Sequence, residues 1–355
     1  MTTNTTLVAS TEASTGKTAV SLALAASARD DGRTVGYMKP KGTRLRSAVG
    51  KTLDEDPMLA HDLLDLDATV ADMEPIVYSP TFVANAVRGG EDEAALHERV
   101  RDAYETLADG CETFLVEGAD GVSTGRVVGL DEPAVAELLD AEVVLLARYR
   151  EPGDVDDVLA AADAFGDRLR GVLFNAVADA DHDTVAEDVA ACLEREGVPV
   201  LGVLPRVHDL AGVSVADLAD ELGGRVVTDA GGDIFVERFL VGAMSGESAL
   251  GHFRRTKDAA VVTGGDRADV QAAALEAPGV NALVLTGGYE PSGAVAGRAE
   301  RAGVPIVVVD GDTRATVERV ESVVSGGRTR NARTVERMRE LLADHADVAH
   351  LLGDD

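Results

Sequence analysis

The sequence predicts an α/β protein of two successive domains, a doubly wound, mostly parallel sheet followed by a smaller α/β domain. Three observations predict it. Short apolar runs without polar alternation recur along the chain, as strands covered on both faces require. Helical patterns separate these runs, so strand, helix and strand repeat as in a crossover sheet. The length, 355 residues, exceeds one ordinary core, and 45% hydrophobic residues supply material for two.

The elements follow in order. TTLVAS reads as a strand and the segment from Gly16 to Asp30 as a helix. TVGYMKP, ETFLVEG, AEVVLLA, LRGVLFN and VPVLGVLP are further strands, with helical stretches at 92–109 and 131–139 among them. After Pro205 the texture changes. LAGVSVADLADELGGRVV is a helix flanked by short segments, and DIFVERFLVGAM reads as one longer extended run. Three compact units follow, DAAVVTGG, NALVLTGG and VPIVVVDG, each an apolar strand closing in a small turn before a helix. The last stretch, TVERMRELLADHADVAHLL, is a helical tail with Val335, Met338, Leu341 and Leu342 on one face. That face packs either on the body or on a partner. The expected division is 1–207, 208–328 and a tail at 329–355.

Charge narrows the partners. Asp plus Glu is 63 and Lys plus Arg is 33, a net −30 spread along the whole chain. Such a surface repels nucleic acid and anionic membrane, and salt relieves its self-repulsion, the Debye length being about 3 Å at 1 M. With few Lys and many Ala and Val, this composition resembles proteins of salt-loving archaea. Cys111 and Cys192 form no disulfide framework, the N-terminus is no signal peptide, and no run reaches membrane-spanning length. The expected compartment is the cytoplasm. The seven histidines form no evident cluster, since His345 and His350 lie off the i, i+4 spacing.

The chemistry concentrates after the first strand, in STEASTGKT. A phosphate-binding loop needs backbone N–H groups pointing into one concavity at a helix N-terminus. Gly16 permits the tight turn, Lys17 places a point charge on the β- and γ-phosphates, and Thr18 offers a hydroxyl to Mg²⁺. The strand, loop, helix order is the context this loop requires, although Thr15-Gly16-Lys17 could also simply begin a helix. Where the usual pattern has its first glycine, this chain has Thr11.

STEASTGKT resembles the loop of dethiobiotin synthetases, GTDTxxGKT, in which that position is also threonine. Ser10 stands for the preceding glycine and Glu12 for the aspartate. Four further stretches match in order. YMKPKG resembles the family's KPV-type segment, placing Lys39 near the transferred phosphate. DEDPMLAHDLL resembles its acidic segment, making Asp54 and Asp56 metal ligands in prospect. FLVEGADG resembles VEGAGG, so Glu117 would complete a Mg²⁺ shell with Thr18. GVLFNAV brings Asn175 to the position that reads adenine, with VLGVLPR and Pro205 beside the base. The resemblance covers about residues 5 to 207. It implies an ATP site of Thr11, Glu12, Ala13, Ser14, Thr15, Gly16, Lys17, Thr18, Asn175 and Pro205, a Mg²⁺ site, and Lys17 and Lys39 as catalytic cations. Two departures lie on the substrate side. KPKGTR replaces a small serine-bearing loop, and Asp120 replaces a glycine, setting a carboxylate against an acidic substrate.

VVTGGDRADVQAAAL resembles the signature of the DRTGG regulatory module, with NALVLTGG and VPIVVVDGDT fitting its later strands. Gly264, Gly265, Asp266, Arg267, Gly287 and Gly288 then lie at strand carboxyl ends, where open α/β sheets bind ligands. Asp266 and Arg267 would bind a small polar ligand or pair across a dimer, with a structural turn-and-salt-bridge role as the alternative. The two modules in this order resemble the front of long phosphotransacetylases, without the catalytic acetyltransferase domain. The resemblance implies a Mg-ATP-binding regulatory protein with slow ATPase activity, dimeric through the second domain, with a separate acetyl-CoA or acetyl-phosphate enzyme as partner. The competing reading is an ATP-dependent ligase or kinase acting on a carboxylate or carbamate. A scaffold with a vestigial loop is the third.

Overall fold

The computed structural model describes residues 3–43, 45–48, 51–228, 234–325 and 332–354. The chain divides into two compact units, Met1–Arg206 with Thr329–Asp355, and Val207–Arg328. Arg44 of the KPKGTR loop, Asp233 of the long apolar run and the expected boundary at 328–329 fall outside the described residues.

The first unit is organised on β1 (Asn4–Ser10), β2 (Val35–Met38), β3 (Thr113–Glu117), β4 (Glu142–Ala147), β5 (Leu169–Val177) and β6 (Val200–Pro205). All pair in parallel in the order β6-β5-β4-β1-β3-β2. All six were legible as apolar runs. Their interior residues are buried on both faces, which is why the runs do not alternate. Leu7, Ala9, Phe114, Val116, Val143 and Leu145 face one continuous core. The main helices are α1 (Lys17–Asp30), α2 (Glu55–Leu64), α3 (Glu93–Ala108), α4 (Glu132–Leu138) and α5 (Asp154–Phe165). Side-chain oxygens of Asp54, Asp92 and Asp131 cap α2, α3 and α4, as short acidic N-caps do. Central β1 lies between β3 and β4, so the chain leaves it toward both halves of the sheet. That is the switch point at which such sheets bind ligands.

The second unit carries a five-stranded sheet. The strands β7 (Arg225–Val226), β8 (Arg238–Val241), β9 (Ala259–Gly264), β10 (Val280–Thr286) and β11 (Ile306–Val308) lie in the order β7-β11-β10-β9-β8. Only β7 is antiparallel. Successive residues of β9 and β10 face opposite cores, with Val261, Leu283 and Leu285 on one side and Ala260, Val262 and Val284 on the other. The expected single run DIFVERFLVGAM is two strands. Phe235–Val236 pairs antiparallel with Val213–Ser214, whereas Arg238–Val241 joins the main sheet at its edge. Glu237 marks the break, its N–H donating to the Asp258 carbonyl beyond either ladder.

The tail belongs to the first unit. Its helix α6 (Ala332–His345) buries Val335, Met338, Leu341 and Leu342 and packs along α1. Gly202 of β6 bridges Ala346, and a Cβ at Gly202 would lie 2.6 Å from the His345 carbonyl. Asn4 Nδ2 donates to the Leu352 carbonyl at 2.6 Å and Arg170 to the Leu351 carbonyl at 2.7 Å. The face read from sequence therefore covers the chain's own first helix.

Candidate functional site

The loop from Thr11 to Gly16 joins β1 to α1 at the switch point. Gly16 sits at φ 98, a left-handed conformation, and a Cβ there would meet the Asn175 amide at 2.5 Å. Both facts demand glycine. Ser14 is left-handed as well, at φ 57. Thr11 N–H donates to the Leu146 carbonyl at 3.1 Å, which ties the loop's entrance to β4. From Glu12 to Gly16, no N–H finds an acceptor among the described residues. A row of unspent donors at a helix N-terminus is the arrangement that attracts phosphate.

Lys17 is buried and donates from Nζ to Ser10 Oγ at 2.8 Å. Burial lowers its pKa, and the fields of Glu117, Asp120 and Glu132 work against that. Thr18 Oγ1 donates to Glu117 Oε1 at 2.9 Å, and Tyr37 OH to Glu117 Oε2 at 2.6 Å. Burial, reinforced by Asp56, raises the Glu117 carboxyl to about 7, while Lys39 and Tyr37 lower it.

Lys39 sits at the end of β2, 2% exposed, inside a carboxylate cage. Its Nζ contacts Asp56, lies 2.9 Å from Asp54 Oδ2 and 3.7 Å from Glu117 Oε1. Burial by itself would depress its pKa; Asp56, Glu117 and Asp54 outweigh that and raise it. Asp54 also caps α2, accepting from Asp56 N–H at 2.9 Å and from Thr43 N–H at 2.9 Å. These expected site residues, Lys17, Thr18, Lys39, Asp54, Asp56 and Glu117, are thus brought together around one buried cluster.

Among the described residues, no three His, Cys, Asp or Glu side chains converge as a metal ion needs. The carboxylates converge on an ammonium instead. Thr18 and Glu117 nevertheless present two hard oxygens side by side below the loop, which fits a Mg²⁺ that takes one or two protein oxygens and completes its shell with phosphate and water.

Asn175 lies in β5, where its Nδ2 donates to the Thr15 carbonyl at 2.7 Å. Its Oδ1 and the second hydrogen of Nδ2 are then left for a base. Pro205 ends β6 in register with Val177, close to the same sheet end. Ala13 and Ser14 are exposed, and Glu12 is half-buried and pairs with Arg150 at 2.9 Å.

Several contributors escaped the sequence reading. Lys41, 1% exposed, pairs with Glu132 at 2.8 Å and donates to the Thr124 and Leu130 carbonyls. Glu132 also accepts from Ala119 N–H at 2.9 Å, fixing the loop that leaves Glu117. Glu74 accepts from Asp54 N–H at 2.6 Å, and burial raises its carboxyl to about 7. Arg148 donates to the Ser14 carbonyl, and burial lowers its pKa. The available signal was position, since Arg148 directly follows a strand adjoining β1.

The glycine turns of the second unit are differently occupied. Gly265 N–H donates to the Thr286 carbonyl, Gly287 to Gly311 and Gly288 to Val309, at 2.9 to 3.0 Å. Arg267 donates to the Met244 carbonyl at 2.7 Å and pairs with Asp269, not with Asp266. A Cβ at Gly264 would meet Asp266 Oδ1 at 2.5 Å, so Asp266 folds back over its own turn.

Known proteins agree with this layout. Residues 4–214 match the AAA domain family AAA_26, and residues 217–323 match the DRTGG domain. The ATP-dependent dethiobiotin synthetase of Bacillus subtilis is 24% identical over 60% of this chain and 92% of its own. The phosphate acetyltransferase of Nitratidesulfovibrio vulgaris is 24% identical over 97% of this chain and 50% of its own, so the chain spans about half the length of that relative. A solved chain holding CBS and DRTGG domains of Clostridium perfringens pyrophosphatase is 17% identical over 44% of this chain and 82% of that one, at a TM-score of 0.28. With a phosphate-binding loop at the switch point and a family match over more than half its residues, the chain belongs to the AAA domain family AAA_26, carrying a DRTGG domain behind it.

Proposed function

We propose that the first unit binds Mg-ATP and that the protein is a nucleotide-responsive regulator with slow ATPase activity. One observation carries the reading: the N–H groups from Glu12 to Gly16 are unspent while Lys17 and the Thr18–Glu117 pair stand beside them. Lys17 would neutralise the β- and γ-phosphates. Thr18 and Glu117 would hold Mg²⁺, which supplies charge neutralisation at the terminal phosphates. Asn175 Oδ1 and the neighbourhood of Pro205 would receive the base.

The substrate side supports regulation over ligation. Lys39 is engaged by Asp54, Asp56 and Glu117, and Lys41 by Glu132, so two lysines near an acceptor are already compensated. Asp120 adds an exposed carboxylate. A carboxylate or carbamate substrate would meet a net acidic surface there. The second unit would respond to a small molecule or pair two copies, and a separate acetyl-CoA or acetyl-phosphate enzyme would be the partner.

Calorimetric titration of Mg-ATP and Mg-GTP in multimolar KCl tests this, with Lys17→Ala in parallel. Wild type binds Mg-ATP, and Lys17→Ala weakens binding by roughly 100-fold or more, about 2.7 kcal/mol or more. Absence of binding by wild type would refute the nucleotide reading. Substrate-stimulated ADP release at several per second would instead favour the ligase or kinase, since kinases turn over at about 1–100 s⁻¹.

A further inference from the structure

The loop after β1 is held from its carbonyl side by side chains from two strands and from the residue that follows a third. Ser10 Oγ of β1 donates to the Glu12 carbonyl at 2.7 Å, Asn175 Nδ2 of β5 donates to the Thr15 carbonyl at 2.7 Å, and Arg148, directly after β4, donates to the Ser14 carbonyl. No peptide bond here is cis. In a planar trans peptide, the carbonyl of one residue and the N–H of the next point in opposite directions. Anchoring the carbonyls of Glu12, Ser14 and Thr15 outward therefore aims the N–H groups of Ala13, Thr15 and Gly16 inward. These are among the donors with no acceptor in the protein.

Of the three anchors, Arg148 has the most demanding task. Ser14 is held at φ 57, a conformation that costs a non-glycine residue energy and needs outside support. Arg148 is half-buried, and its Nε is buried without a hydrogen-bond partner. Around it, Glu12 supplies a negative field and Arg150 and Arg206 positive ones. In a chain of net charge −30, a partly desolvated guanidinium behind this loop needs a reason beyond solubility.

We propose that Arg148 is a positioning residue of the nucleotide site, whose hydrogen bond to the Ser14 carbonyl turns the Thr15 N–H toward the β-phosphate. The proposal rests on the nucleotide reading above. It makes Arg148 a determinant of affinity for di- and triphosphates, because a monophosphate has no β-phosphate for the loop to hold.

The test titrates Mg-ATP, Mg-ADP and AMP into the full chain in high salt, as wild type, Arg148→Met and Arg148→Lys. Thermal unfolding without nucleotide is run alongside. Loss of a hydrogen bond from a charged donor predicts that Arg148→Met weakens ATP and ADP equally, by roughly 10- to 150-fold. AMP binding changes less than about twofold, within the noise expected of an uninvolved contact. Arg148→Lys, which keeps one donor without the planar fork, lies between. Wild-type affinity for ATP and ADP in Arg148→Met overturns the proposal, and so does an equal loss for AMP, which would mark a general structural defect. If Arg148→Met does not fold, Arg148→Lys decides: an intermediate ATP affinity with unchanged AMP supports the proposal, and wild-type affinity overturns it. Wild type that binds none of the three nucleotides removes the nucleotide reading and this proposal with it.

Discussion

Glycine-bearing turns lie at the carboxyl ends of parallel strands in both units, and the two units spend the hydrogen bonds of these turns in opposite ways. In the first unit, side chains take the carbonyls of Glu12, Ser14 and Thr15 while the N–H groups stay free. In the second, the N–H groups of Gly265, Gly287 and Gly288 are taken by neighbouring carbonyls. Both places look alike in sequence, as apolar strands ending in small residues. The difference teaches that glycine marks where a chain turns, whereas the direction of its peptides decides whether the turn can hold an anion.

The largest effect expected lies beneath the first turn. Lys39→Met leaves Asp54, Asp56 and Glu117 buried without their shared cation. Breaking a buried ion cluster on one side costs about 3–5 kcal/mol. Denaturant unfolding of the whole chain reads it as a lower midpoint for the first unit. Adding Asp56→Asn to Lys39→Met should return part of the loss. A loss under about 1 kcal/mol, the level of an exposed ion pair, would show that solvent reaches the cage.

Next in size are paired glycine substitutions, which bear on the comparison itself. Gly16 and Gly287 both have positive φ, 98 and 86. Alanine at either incurs a left-handed backbone cost of about 1–2 kcal/mol. At Gly16 the new Cβ also strikes the Asn175 amide at 2.5 Å, whereas at Gly287 it meets the Tyr289 ring at 3.2 Å. Gly16→Ala should therefore weaken Mg-ATP binding at least about tenfold, some 1.4 kcal/mol, and Gly287→Ala should leave it unchanged. Equal loss of affinity in both would erase the distinction drawn between the turns.

How much of this could be read from sequence depends on the range of each interaction. The six strands of the first sheet were legible because burial on both faces writes itself into unbroken apolar runs such as FLV and VVLLA. The phosphate loop was legible because its chemistry is local, from Ser10 to Thr18. DIFVERFLVGAM was misread as one strand because its partners, Val213–Ser214 and β9, are distant and different. The tail showed which face it buries, though not that α1 covers it. Glu74 and Glu132 were invisible for a related reason. In a chain with 63 acidic residues, nothing local separates a buried carboxylate from a solvated one. Lys39 and Lys41, two residues apart, look equivalent in KPKG, yet each enters a separate ion pair set by residues beyond position 50.

A pH-dependent effect is carried by one of those hidden carboxylates. Glu74 is raised from 4.5 to about 7, chiefly by burial, with the charge of Asp54 adding to the rise and the Asp54 N–H opposing it. A carboxyl whose pKa is higher in the folded state binds more protons folded than unfolded. Its contribution to stability is then complete below pH 4.5, declines through the window up to about 7, and is flat beyond it. Glu74→Gln keeps a carbonyl oxygen to accept from Asp54 N–H and removes the titration. Urea unfolding at a series of pH values should show wild type losing stability between pH 4.5 and about 7 relative to Glu74→Gln, with the variant the more stable of the two at pH 8. Parallel curves for the two proteins would mean that Glu74 ionises freely where it stands, and that the acidic ground beneath the phosphate loop is wetter than its burial indicates.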